Sequence, residues 1–147
     1  MVSSARETPE GVRIRSVEVI LYVADQARSA RFYREVLGRE PVLDVPGMTE
    51  FALGGGTKLG LMPDDGIAAL LGPRLPHPSD GTGIPRCELY LVVADARAAH
   101  AGAVAAGALA VSEVAARSWG DEAGYVADPD GHVVAFAQEP PTVPIPG

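Results

Sequence analysis

The stretch CELYLVVAD, Cys87 to Asp95, decides the fold, because VEVILYVAD, Val17 to Asp25, has the same pattern. Both runs carry Glu second, Leu fifth and Val-Ala-Asp at the end. Glu18 and Glu88 thus stand in one register relative to Asp25 and Asp95. Agreement at charged positions inside two aliphatic runs points to an internal duplication. It also points to one structural location for the two carboxylates.

Outward from these runs, each half reads alike. Val17 to Val23 is β-branched and aliphatic, which predicts a strand. Asp25 predicts a helix N-cap, since its carboxylate can accept from free N–H groups of the first turn. The helix covers Gln26 to Leu37, with Ala30, Phe32, Tyr33, Val36 and Leu37 on its apolar face and Gly38 as the stop. Strands follow at Glu40 to Leu43, Met48 to Leu53 and Lys58 to Met62. Val45-Pro46-Gly47 and Gly54-Gly55-Gly56 turn the chain between them. In the second half a strand over 87–93 leads to a helix capped by Asp95 and ending near Gly107. Strands follow at Leu109 to Val114, Gly124 to Ala127 and, after the DPDG turn at Asp128 to Gly131, His132 to Gln138. Each half is therefore β-α-β-β-β, and the class is α+β with helices along one face of the sheets. The expected organisation is a loose leader over 1–15, a first module over 16–62 and a linker over 63–85 with a short helix from Gly66 to Leu71. A second module over 86–138 and a Pro-rich tail over 139–147 complete it.

Composition narrows the function. Hydrophobic residues make up 47% of 147, so a packed interior is expected rather than disorder. The formal net charge is −7, which argues against nucleic acid, whose binding relies on Lys and Arg against phosphate. No apolar run approaches the ~20 residues of a membrane helix, and Met1 to Arg15 lacks the apolar core of a signal peptide. A cytoplasmic protein without membrane partners is expected. The single cysteine, Cys87, forms no intrachain disulfide, which fits a reducing compartment.

Alternation along a strand sorts side chains into two rows. Val17, Val19, Leu21 and Val23 form a row suited to packing against a helix; Glu18, Ile20 and Tyr22 form the other. Cys87, Leu89, Leu91 and Val93 oppose Glu88, Tyr90 and Val92. Leu59 and Leu61 oppose Lys58, Gly60 and Met62, and Val134 and Phe136 oppose Val133, Ala135 and Ala137. If the first and last strands of each module are neighbours, Glu18 shares a surface with Gly60, and Glu88 with Ala135. Aromatic, small and acidic residues on one surface are the makings of a ligand pocket. The competing reading is a wet sheet face, which also carries Glu, Tyr and Lys; repetition of the register favours the pocket.

LYVADQARSARFYREVLG, Leu21 to Gly38, and WGDEAGYVADPDGHVVAFAQ, Trp119 to Gln138, resemble the first strand and helix and the closing hairpin of the vicinal oxygen chelate superfamily. That group holds glyoxalases, bleomycin- and fosfomycin-resistance proteins and extradiol dioxygenases. The resemblance spans about residues 16 to 138. It implies curled mixed sheets around a cavity, and a homodimer. It also implies four metal-ligand positions, at Glu18, Gly60, Glu88 and Ala135. Two of the four have no side-chain donor, whereas a catalytic metal takes about three protein ligands. No cofactor is expected, or at most a weakly held divalent ion on Glu18 and Glu88. His77, His100 and His132 are poorly placed to help, and Cys87, read into the helix-facing row, is not expected to act as a thiol catalyst.

Glu18 and Glu88 are then the acid or donor candidates for any catalysis. Tyr22, Tyr90, Phe51, Gly60, Met62, Trp119, Tyr125 and Ala135 are candidate ligand-contact residues. The expected ligand is a small molecule, cationic or aromatic, because the carboxylates pair with cations and the rings offer stacking and cation–π faces. Drug sequestration around a degenerate metal centre is the leading reading. A metal-dependent lyase, isomerase or dioxygenase using Glu18 and Glu88 is the alternative, and a catalytically silent interaction module the third.

Overall fold

The computed structural model describes residues 11–140. The first ten residues of the expected leader, and the tail from 141, lie outside the described residues. The first module contains β1 (Val17–Val23), α1 (Gln26–Leu37), β2 (Leu43–Val45), β3 (Met48–Gly54) and β4 (Thr57–Pro63). Helix α2 (Asp64–Leu71) and two 3-10 turns, Gly72–Arg74 and Pro78–Asp80, form the linker. The second module contains β5 (Glu88–Val92), α3 (Ala96–Ala105), β6 (Leu109–Ala116), β7 (Glu122–Ala127) and β8 (Val133–Gln138).

Each module forms one four-stranded sheet, ordered β1-β4-β3-β2 and β5-β8-β7-β6. The first and last strands pair in parallel, and the remaining pairs are antiparallel. The duplication extends to the register. Glu18 faces Lys58 and Ile20 faces Gly60; Glu88 faces Val133 and Tyr90 faces Ala135. The capping aspartates repeat as well: Asp25 accepts from the Arg28 N–H and Asp95 from the Ala98 N–H, each at 3.0 Å. Gly38 ends α1 at φ 63°, a left-handed conformation that costs an L side chain more than it costs glycine.

The first hairpin differs from its sequence reading. Its strand begins at Leu43, not Glu40, and Val45 pairs with Met48, leaving Pro46-Gly47 alone in the turn. Pro at the first corner and Gly47 at φ 97° at the second are what a type II turn needs. Helix α2 starts at Asp64, two residues early, because Asp64 and Asp65 sit well in a first turn facing the helix dipole.

One core unites the modules. It includes Leu21, Val23, Phe32, Tyr33, Phe51, Leu59 and Leu61 from the first and Leu89, Val114, Val126, Val134 and Phe136 from the second. Phe32 and Tyr33 meet edge to face with centroids 4.9 Å apart, a geometry worth about 0.5–1.5 kcal/mol beyond burial. Only half of the expected helix-facing row of β1 is covered. Leu21 and Val23 are buried, whereas Val17 and Val19 are exposed, because β1 is an edge strand and α1 lies over β3 and β4.

The DPDG turn fastens the second module to the start of α1. The Asp130 carboxylate accepts from the Ala24 N–H (2.8 Å), the Ser29 hydroxyl (3.1 Å) and the Arg28 guanidinium (3.2 Å). Asp128 accepts from the Tyr33 hydroxyl at 2.7 Å, and His132 Nε2 donates to the Tyr22 carbonyl at 2.8 Å. No helix among the described residues is long and apolar enough to cross a membrane.

Candidate functional site

The face of each sheet that turns away from the helices carries the candidate residues. In the first module that face is defined by contact. A Cβ on Gly60 would stand 2.5 Å from Glu18 Oε2, 3.2 Å from Ile20 Cγ1 and 3.3 Å from Met48 Sδ, so these groups surround one spot. Gly60 faces Ile20 on one side and Glu50 on the other. Glycine here lets the Glu18 carboxylate settle onto the backbone of β4.

Glu50, which sequence reading passed over, makes this spot ionic. Lys58 Nζ donates to Glu50 Oε1 at 3.0 Å and lies 3.9 Å from Glu18 Oε1. Glu18 Oε2 is sealed from solvent and, when ionised, has no hydrogen-bond partner. The Glu18 carboxyl is therefore raised above its ordinary range, first by burial and then by Glu50, to which the protonated form donates; Lys58 opposes the shift. Glu50 is lowered, chiefly by the Lys58 hydrogen bond, and Lys58 is raised by the same bond. Of the two carboxyls, Glu18 thus keeps its proton to the higher pH.

The second module carries different chemistry on the same face. Ala135, fully buried, lies between Tyr90 and Tyr125 across the sheet. The Tyr90 hydroxyl donates to Asp121 Oδ2 at 2.5 Å and accepts from Trp119 Nε1 at 2.9 Å. Its titration is raised, mainly by the bond to Asp121. The Arg117 guanidinium stands 5.3 Å from the Tyr125 ring centroid and donates to the Ala123 carbonyl and Ser112 hydroxyl. Three expected contact residues, Tyr90, Trp119 and Tyr125, thus belong to one neighbourhood, with Asp121 and Arg117 as partners that sequence reading missed.

Other candidates land elsewhere. Phe51 is fully buried in the core: it faces Leu59 and shares the helix-facing row, so it cannot line the opposite face. Tyr22 and Met62 lie on the helix-free face of the first module, directly across from each other. Glu88 is exposed, and it lines a cleft with Pro85, Arg86, Cys87 and Val133 whose walls do not include Glu18. The single chain therefore does not enclose the two carboxylates together. The modules meet through α1, α3 and the DPDG turn.

Cys87 precedes β5 and is exposed, contrary to its expected helix-facing row. It lines a cleft of about 570 Å³ between the linker, Tyr22 and the DPDG turn. The histidines have structural partners: His77 bonds Asp65 at 2.7 Å, His132 bonds the Tyr22 carbonyl, and His100 Nε2 reaches the Ser112 and Tyr125 carbonyls at 3.1 and 3.2 Å.

The glyoxalase-like domain family matches residues 18–137. The chain belongs to that family. Its two βαβββ modules are the fold of the vicinal oxygen chelate superfamily. A solved glyoxalase-related enzyme from Fulvimarina pelagi is 28% identical with a TM-score of 0.74, over 88% of this chain and 90% of that one. The solution structure of protein ATC0852 from Agrobacterium tumefaciens is 26% identical with a TM-score of 0.66, over 88% of this chain and 100% of that one. A glyoxalase/bleomycin resistance protein/dioxygenase family enzyme from Burkholderia phytofirmans PsJN, 17% identical with a TM-score of 0.71 over 82% and 95% of the chains, shares the fold. No curated protein matches the sequence.

Members of this family are often metal-dependent, and the donor set here does not fit that use. Gly60 and Ala135 offer no side-chain donor. Glu18 lies under Glu50 and Lys58, and Glu88 stands apart in an exposed position. Among the described residues no three His, Cys, Asp or Glu side chains are grouped to hold a metal ion.

Proposed function

We propose that this glyoxalase-like protein binds a flat aromatic small molecule and sequesters it without a metal. The observation that carries this reading is the second-module face. Tyr90 and Tyr125 flank the fully buried Ala135, and Trp119, 58% exposed, is held by its hydrogen bond to Tyr90. Such a frame offers stacking surface at low entropic cost, since its rings are already tethered. Glu88, exposed and facing Val133 on the same strand pair, adds negative charge at the rim and favours a cationic guest.

A second copy of the chain closes the site in this proposal. Ile20, Tyr22, Leu43 and Val45 on the first helix-free face, and Val92 on the second, are exposed apolar residues of the kind an interface covers. Light scattering at micromolar concentration reads the oligomeric state, and a monomer would remove this part of the proposal.

Trp119 is the only tryptophan, so its fluorescence reports the site directly. Titration with the cationic dye acridine orange should quench Trp119 saturably and raise the melting temperature. A planar naphthalene sulfonate should bind more weakly, and Glu88→Gln should narrow the difference between the two. Absence of saturable quenching by either probe, together with turnover of a thiol hemiacetal or a catechol on adding Ni, Zn, Mn or Fe ions, would replace sequestration with the metal-dependent lyase or dioxygenase reading.

A further inference from the structure

We infer that Lys58 supplies from the chain itself the cation that the first-module face would otherwise draw from solution. Strands β1 and β3 deliver two carboxylates, Glu18 and Glu50, to one face across β4. Gly60 lies between them in the register, and its lack of a side chain makes room for Glu18 Oε2, which a Cβ there would meet at 2.5 Å. Two carboxylates so placed repel when both are ionised, and a positive charge against both relieves that repulsion. The Lys58 ammonium does so, at 3.0 Å from Glu50 and 3.9 Å from Glu18.

The duplicated module acts as an internal control. At the place of Lys58 it has Val133, and at the place of Glu50 it has Tyr125. Lysine and the second carboxylate are thus present together or absent together. The choice of residue is also informative. Lys58 is the only lysine, and arginine provides every other permanently charged cationic side chain. A guanidinium is a planar fork, whereas an ammonium is a compact point charge and the closer analogue of a metal ion. The acidic pair therefore already has a cation set against it, and a divalent ion arriving there would have to displace a tethered ammonium.

The test uses Mn²⁺, a hard ion suited to carboxylate oxygen rather than to imidazole or thiol. Free Mn²⁺ is followed by its paramagnetic resonance signal in the presence of wild type, Lys58→Met and Lys58→Met/Glu50→Gln. Wild type should leave the ion free up to millimolar concentration. Lys58→Met should take up one ion per chain at least tenfold more tightly, and the double variant should fall back to the wild-type level. Circular dichroism confirms folding, and Lys58→Gln repeats the measurement if the methionine variant does not fold. Stoichiometric micromolar binding by wild type, or a folded Lys58 variant that binds no better than wild type, overturns the inference. Neither result touches the fluorescence assay for an aromatic ligand, so the two proposals fail separately.

Discussion

Tyr33→Phe removes one oxygen from the junction between the modules and leaves the ring in place. Tyr33 is fully buried, and its hydroxyl donates to Asp128 Oδ2 at 2.7 Å. The change creates no cavity, and the edge-to-face contact with Phe32 survives. What is lost is a hydrogen bond to a carboxylate, worth about 1.5–3 kcal/mol. Asp128 Oδ1 keeps the Asp130 and His132 N–H groups at 2.9 and 2.8 Å, so the carboxylate is not stranded and about 2 kcal/mol is the expected cost at neutral pH. In a chain of this size that lowers the melting temperature by about 4–8 °C. A second signature comes from pH. Burial, and then the charge of Asp128, push the Tyr33 hydroxyl well above its ordinary value. In the unfolded chain it titrates near ~10. A raised folded value means the bond's contribution is fully present below about pH 10 and is lost as pH rises toward the folded value, at about 1.4 kcal/mol per pH unit. Tyr90 and Lys58, also raised, titrate in both proteins and cancel in the comparison. Urea unfolding at pH 7 and through pH 11 should show a gap of about 2 kcal/mol that closes above pH 10. A gap below about 0.5 kcal/mol at pH 7, or one unchanged through pH 11, would mean the hydroxyl is not bonded to a buried carboxylate.

Two glycines should respond differently to alanine. At Gly124 a Cβ would lie 2.6 Å from Val114 Cγ2 and 2.9 Å from the Val114 backbone nitrogen, which cannot yield; Gly124→Ala should cost at least about 1–3 kcal/mol in thermal unfolding. Gly60→Ala meets side-chain atoms only, so it should cost less, yet it should expel Glu18 and return its titration, read by carbon NMR, toward the ordinary carboxyl value. Asp130→Ala removes the contacts to Ala24, Arg28 and Ser29; amide exchange should quicken at the start of α1 and in the DPDG turn while the centre of β4 stays protected.

The elements and their pairing were legible because local signals and the repeat agreed. Asp25 and Asp95 cap their helices as the spacing predicts, and Glu18 and Glu88 take matched register positions. The misreadings have specific causes. Phe51 stands among the candidate contacts for its stacking face alone, although the alternation Met48, Glu50, Ala52 against Thr49, Phe51, Leu53 already separates it from Gly60. Glu50 becomes a neighbour of Glu18 only through the order β1-β4-β3, which short-range pattern does not report. Coverage was illegible for a similar reason. Nothing within VEVILYV tells that α1 passes over β3 and β4 and leaves Val17 and Val19 uncovered. Glu88 is exposed because the modules join through α1, α3 and the DPDG turn, a docking arrangement that a strand's own sequence does not encode.

The two halves have kept one set of rows and changed the other. On the helix side, Leu59 and Leu61 correspond to Val134 and Phe136, all of them apolar and buried, as a shared core requires. On the free side, Lys58 stands where the other half has Val133, Glu50 where it has Tyr125, and Ile20 where it has Tyr90. Folding constrains only the first set, so the second is open to selection for binding. The outcome is an unequal pair of faces. The first is filled by its own ion cluster, with the Glu18 oxygen pressed onto Gly60 and little free polarity to offer. The second holds Tyr90 and Trp119, tied to each other by a hydrogen bond, and Tyr125 beside the Arg117 guanidinium. In the ligand-binding dimer proposed above the two faces would be complementary: the aromatic face would supply contact area, and the ionic face would keep its carboxylates against Lys58 rather than turn them toward the ligand. On that proposal a chain with two matched glutamates need not use them alike.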